Sequence, residues 1–351
     1  MTTNRVTRGR GLRAGVVMWA AMLAALVAGP AQAAMGMTEI AAAGLDGPMT
    51  VYYPSDSPSR RGAGPFALDV AADGRPVRGN GRLVVVTHGT GASPWVYADQ
   101  ARAMVEAGFV VALPLHRADN YLDHSDAQGA LERRPREVSR AIDRIGEDTR
   151  FAPLLSLDRV GVYGMSAGGH TALTLAGGRW SYANFRRHCD THLAADFQFC
   201  VGVITQLNGG LLDGFKQWMA RTVIGWRFAD ETVRGHEDAR IAAIVAAVPA
   251  AATHDMASLA TPRVPLALVT ARQDRWLVPR FHSDRVLQAC GGCEHLVDLE
   301  RGGHGAYLSP LPPDLSGVLA QMLADPPGFD RAALPAVHAK VAEFFRRHLL
   351  P

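Results

Sequence analysis

The stretch RVGVYGMSAGGHTALTLAGG, residues 159–178, decides how the rest of the chain is read. An apolar run ends in Gly164-Met165-Ser166-Ala167-Gly168, and a small-residue run with helical spacing follows. A strand that turns through Gly-x-Ser-x-Gly into a helix exposes the serine hydroxyl above the edge of a sheet. Side chains two positions either side of that serine would collide, so glycines stand there. The N-terminus of the next helix points at the site and favours negative charge. The alternative is an ordinary serine in a glycine-rich turn, and the flanking sequence has to choose.

Upstream, RLVVVTHG (82–89) is a continuous β-branched run ending in glycine, and FVVALPL (109–115) reads as another buried strand. Between them PWVYADQARAMVEAG (94–108) has helical spacing and a glycine stop, and PREVSRAIDRIGED (135–148) predicts a second helix. Downstream, IAAIVAAVPA (241–250), VPLALVTA (264–271) and EHLVDLE (294–300) predict strands, and PAVHAKVAEFFRRHLL (335–350) a closing amphipathic helix. MTVYYP and PFALDVAADG, nearer the start, predict short strands at an antiparallel edge, with a Ser/Pro/Arg/Gly-rich turn between them. Unbroken apolar strands alternating with helices imply an α/β fold: a mostly parallel central sheet with helices on both faces. Residues 179–240 interrupt the alternation and concentrate aromatics, from Trp180 and Phe185 to Trp226 and Phe228. This insertion follows the helix after Ser166. It reads either as a lid over the site or as an excursion with its own small core.

Ligands of such sheets bind beyond the carboxyl ends of the strands. A serine nucleophile needs a base, and in this architecture the partners follow in the order Ser, acid, His. Asp274 falls in the loop after VPLALVTA, and His304 in the glycine-rich loop after EHLVDLE. Asp255, after the strand IAAIVAAVP, is the reserve candidate for the acid. His170 is close to Ser166 in sequence but one turn into the following helix, where it packs or faces solvent. His88 sits in THGTG and is expected to brace a turn rather than act as base. The same HGTG puts Thr90 at the end of a strand. Its backbone N–H and that of Ala167 are the expected oxyanion donors, with the Thr90 hydroxyl a further one. Together these residues predict acyl transfer through Ser166, His304 and Asp274, with no metal or cofactor required. The expected partner is a small-molecule or lipid-like ester. An amidase or peptidase on the same residues, or a binding protein that kept the fold, are the other readings.

At this point the chain resembles the α/β-hydrolase superfamily, from about residue 50 to the end. The segments VVVTHGTGASPWVYADQARAMVEAGFVVALPLHRADN and YGMSAGGHTAL are similar to the group called predicted dienelactone hydrolases, related to platelet-activating-factor acetylhydrolases and bacterial polyester-degrading enzymes. The resemblance implies hydrolysis of carboxylic esters. Dienelactone hydrolases proper use a cysteine nucleophile where this chain has Ser166, which points to a simple serine esterase.

The first residues carry Arg5, Arg8, Arg10 and Arg13, then an apolar run from Ala14 to Gly29, then Ala31-Gln32-Ala33. That is the pattern of a secretory signal peptide cleaved after Ala33. The run of 16 residues is shorter than the roughly 20 a membrane-spanning helix needs, which disfavours an uncleaved anchor. Removing 33 of 351 residues leaves 318, and removing four arginines takes the net charge from +3 to −1. A chain so charged gives no electrostatic reason to expect a nucleic acid partner. A periplasmic or secreted location makes disulfides plausible for Cys189, Cys200, Cys290 and Cys293. Three pairings are possible, and the local one, Cys189–Cys200 and Cys290–Cys293, is expected. CGGC also looks like a redox motif, but such motifs open helices after strands, and this one sits at a helix end before a strand.

Overall fold

The computed structural model describes residues 1–3, 34–63 and 66–351. The expected cleavage site and the apolar run before it lie outside the described residues. The chain from Ala34 supplies twelve strands among the described residues. They are β1 (Ala34–Ile40), β2 (Met49–Ser55), β3 (Arg60–Ala63), β4 (Leu68–Ala72), β5 (Leu83–Thr87), β6 (Val110–Pro114), β7 (Val160–Met165), β8 (Arg179–Trp180), β9 (Ile241–Ala247), β10 (His254–Asp255), β11 (Leu266–Ala271) and β12 (Glu294–Leu299). Ten form one sheet in the order β12-β11-β9-β7-β5-β6-β2-β1-β4-β3, and β8 pairs with β10 apart from it. From β12 to β6 every pairing is parallel. β2 joins β6 antiparallel, and β1 pairs antiparallel with β2, as the edge expected from MTVYYP.

The period of two along a strand divides the core. Val84 and Val86 face one layer, with Met104 and Val105 of α1 (Ala98–Glu106). Leu83 and Val85 face the other, with Val138, Ile142 and Ile145 of α2 (Ala127–Glu147) and Leu173 of α3 (Ala167–Leu175). Between Ser181 and Arg234 come α4 (Tyr182–His192), α5 (Phe197–Val201) and α6 (Asp213–Arg227). α7 (Ser283–Ala289) follows β11, α8 (Gly317–Leu323) follows β12, and α9 (Leu334–Leu349) closes the fold. α9 buries Leu334, Val337, Val341, Phe344 and Phe345 beside α1, the three-and-four spacing expected of an amphipathic helix.

Two local expectations need correction. The second helix does not begin at Pro135: α2 starts eight residues earlier, because Asp126 caps it by accepting the Gly129 N–H at 2.9 Å. Pro135 lies inside the helix. Arg60–Ala63, read as part of a turn, pairs with β4 as a short edge strand.

The segment 179–240 has a small core of its own, where Cys189, Leu193, Phe197, Cys200 and Ile224 pack with Phe185 and Phe228. Disulfides join Cys189 to Cys200 and Cys290 to Cys293, the local pairing. Buried Asp196 ties this segment to the body. Its Oδ2 accepts from His188 Nε2 at 2.8 Å and His282 Nε2 at 3.0 Å, and its Oδ1 from the Val278 N–H at 3.4 Å. His282 Nδ1 in turn accepts from the Ala251 and Ala252 N–H groups. Burial alone would raise the Asp196 pKa, but the two imidazole donors win and hold it at about 2.

Candidate active site

β7 delivers the chain to Ser166, and the crowding there accounts for both glycines. A Cβ on Gly164 would lie 2.1 Å from the Gly168 carbonyl oxygen, and one on Gly168 would lie 1.9 Å from the Thr87 carbonyl oxygen. Ser166 itself takes φ 59° and ψ −117°, backbone strain of roughly 1–3 kcal/mol for a residue with a side chain. Three backbone hydrogen bonds hold it there: its N–H donates to Ala247 O at 3.1 Å, and its carbonyl accepts from Ala250 N at 3.0 Å and His170 N at 3.1 Å. The strain points the side chain out of the turn, and Ser166 is partly exposed while the residues on either side are buried.

His304 and Asp274 meet that side chain. His304 Nε2 lies 3.1 Å from Ser166 Oγ, and His304 Nδ1 lies 2.7 Å from Asp274 Oδ2. Both are nearly buried, at 5% and 4% exposure. With a carboxylate accepting at Nδ1, that nitrogen carries the hydrogen and Nε2 is free to accept from the serine hydroxyl. Asp274 Oδ1 accepts from the Trp276 and Leu277 N–H groups at 2.8 and 2.9 Å, which fixes the carboxylate's orientation. Asp255 is elsewhere: its carboxylate caps a short helix through the Ala257 N–H. His170 is fully buried, packed edge-on against Trp180 at 4.8 Å between ring centres, and burial pushes its pKa well down.

The HGTG loop runs beside Ser166. A Cβ on Gly89 would be 3.4 Å from Ser166 Cβ. Among the described residues, neither the Thr90 nor the Ala167 N–H donates to a protein acceptor. The Thr90 hydroxyl donates instead to Asp119 Oδ2 at 3.4 Å. His88 is buried and neutral, its pKa depressed chiefly by burial. Its Nδ1–H donates to Gly89 O at 2.7 Å and its Nε2 accepts the His116 N–H at 3.1 Å. The Gly89 N–H donates to the Tyr97 phenol at 2.9 Å.

Arg134 and Asp119, which sequence reasoning missed, hold this loop from behind. Both are completely buried and paired at 2.7 Å. The Arg134 guanidinium also donates to His88 O and Gly89 O, and Asp119 Oδ1 accepts the Gly91 N–H at 3.2 Å. The only trace in the sequence is an acid in the loop after FVVALPL and an arginine on the next helix, fifteen residues on. Charged side chains usually face solvent, so that trace does not single them out.

Two surface recesses, of about 410 and 320 Å³, contain none of Ser166, Asp274 or His304. Among the described residues, no cluster of three or more His, Cys, Asp or Glu side chains is placed to hold a metal ion. No helix among them is long and apolar enough to cross a membrane.

No protein-family model matches the chain. No curated protein matches it in sequence. Among solved structures it is similar to a ferulic acid esterase from Streptomyces cinnamoneus, with a TM-score of 0.54 and 18% sequence identity over 92% of each chain. That likeness is one of architecture, and with the sheet order, the helices on both faces and the turn at Ser166 it gives the protein the α/β-hydrolase fold.

Proposed function

We propose that this protein is an exported serine hydrolase of carboxylic esters, akin to the dienelactone hydrolase-like group but with a serine nucleophile. The observation that carries the reading is the continuous hydrogen-bonded line from Asp274 through His304 to Ser166 at the head of a strained strand–helix turn. In the first half-reaction Ser166 Oγ attacks the ester carbonyl carbon as its proton passes to His304 Nε2. The carbonyl oxygen becomes an oxyanion, for which the Thr90 and Ala167 N–H groups are the donors. The tetrahedral species collapses, His304 gives its proton to the departing alcohol oxygen, and an acyl group remains on Ser166. Water, deprotonated by His304, then repeats the sequence and frees the acid. Asp274 keeps the imidazole in the tautomer that can accept at Nε2 and supports the imidazolium. The esterase named for the structural neighbour and the two disulfides agree with an exported ester hydrolase. Export itself rests on the basic and apolar start of the sequence.

The test is direct. The purified protein should react with a fluorophosphonate probe and hydrolyse short p-nitrophenyl esters. Ser166→Ala should lose the label and about 10⁴-fold or more in kcat. Labelling that persists in the variant would remove Ser166 from the role. Turnover of anilides with none of esters would move the reading to an amidase.

A further inference from the structure

α6 carries two apolar faces, and only one of them is covered. Ile224 and Ala220 turn inward to the small core of the insertion. Phe215, Trp218, Met219, Val223 and Trp226 recur three and four residues apart on the opposite side and stand in solvent, with Trp226 81% and Trp218 58% exposed. The loop before the helix continues this surface with Ile204, Leu211 and Leu212, all largely exposed. Among the described residues the most exposed aromatic rings, Phe215, Trp218 and Trp226, all stand on this one helix. Rings of this kind carry roughly 150–250 Å² each; more than half of each of these three is open, and Ile204, Leu211 and Leu212 extend the patch beyond what a monomer ordinarily leaves to water.

We propose that this face seats the protein on an anionic lipid surface. The charges beside the stripe select that occupant. Lys216 and Arg227 flank it on one side of the helix and Arg221 on the other, while Asp213, the helix's one acid, is spent on Lys216. Arg221 and Arg227 are exposed and donate only to uncharged oxygens, the Asp190 carbonyl and the Gln128 amide. Among the described residues neither forms an ion pair within 4 Å, and although Arg227 also feels the Asp126 carboxylate, both guanidinium groups remain open to an anion outside the molecule. An apolar stripe of Trp, Phe and Met between long cationic side chains is the pattern of a helix lying in the plane of a membrane interface. There the rings sit at the acyl boundary and the guanidinium groups at the headgroups. The insertion touches the body through Gln128, Thr253, Val278 and His282. Each follows the carboxyl end of a sheet strand, the edge that also holds Ser166, Asp274 and His304. The insertion that carries the lipid-binding face is therefore seated on the edge where the chemistry sits, although binding does not depend on the ester-hydrolase reading.

Flotation with vesicles of equimolar phosphatidylcholine and phosphatidylglycerol, against vesicles of phosphatidylcholine alone, tests the assignment on the protein recovered after export. The protein should float with the anionic vesicles and show a blue-shifted tryptophan emission. Binding should weaken as salt rises. Trp218→Ser with Trp226→Ser should weaken it about tenfold or more, and Arg221→Glu with Arg227→Glu roughly tenfold. Circular dichroism should be unchanged in both, since these side chains are exposed. Ser166→Ala should bind as the parent does, which separates this proposal from the catalytic one. Equal binding to both vesicle types, no binding to either, or a dimer in sedimentation that the tryptophan substitutions dissociate would each overturn it.

Discussion

At the scale of single residues, the acid of the proposed triad is the sharpest choice between two candidates of the same type. Asp274 touches His304 Nδ1, whereas Asp255 caps a turn. Asp274→Asn should lower kcat about 10⁴-fold by favouring the wrong imidazole tautomer, while Asp255→Asn should leave kcat within a small factor. A fall in kcat with Asp255→Asn as large as with Asp274→Asn would contradict the geometry. Arg134 is a positioning residue that touches no reacting atom. Arg134→Met should cost about 3–5 kcal/mol of stability by leaving Asp119 buried without its counter-charge. Its kcat should fall up to about 100-fold as the HGTG loop loses its restraint, with a smaller change in KM. Steady-state kinetics and a urea titration on one preparation check both. Ser166, Asp274 and His304 were legible in sequence as a candidate set because each follows a strand in an order the architecture imposes. Arg134 and Asp119 were not, because two charges fifteen residues apart become partners only once β6 and α2 are docked.

At the scale of elements, what the sequence conveyed depended on how an element is buried. β5, β7, β9 and β11 are covered on both faces, so their apolar runs are unbroken and announce themselves. β3, RRGA, has no apolar signature, and an edge strand needs none. The start of α2 was hidden because a proline draws the eye to position 135, while the cap that fixes the helix is an aspartate in a polar loop. The insertion gave up its aromatic character but not the division between a covered and an open face. Its cohesion rests on the Cys189–Cys200 link, which closes a loop of about a dozen residues. Replacing both cysteines with serine should lower stability by about 3 kcal/mol. Limited proteolysis should then cut the 202–212 loop faster in the variant, and equal cutting rates would show that the small core suffices alone.

At the scale of the whole molecule, buried neutral histidines govern the response to acid. His88, His116 and His170 are held well below the ordinary imidazole pKa of 6.5 by burial, His254 at about 3 and His338 at about 4. The unfolded chain takes up these protons as pH falls through 6.5 and the folded chain does not. The unfolded state therefore binds more protons in that window, and stability present above pH 6.5 drains away as pH falls towards 4. Each histidine contributes up to about 1.4 kcal/mol per pH unit once the unfolded state is charged. Asp196, with its pKa depressed to about 2, adds a further loss only below its ordinary value of 3.8. Urea midpoints measured from pH 8 to 4 should be flat at first and then fall steeply below about 6.5. A flat profile down to pH 4 would mean that the unfolded state shields the same imidazoles. The crowding at Gly164 and Gly168 has a consequence of another kind, for how the gene can vary. Every missense change of a glycine codon installs a Cβ, and at these two positions that atom would fall within about 2 Å of a backbone oxygen. Both codons should therefore admit synonymous change only, so a saturation library selected for activity should return glycine at each while neighbouring codons diversify.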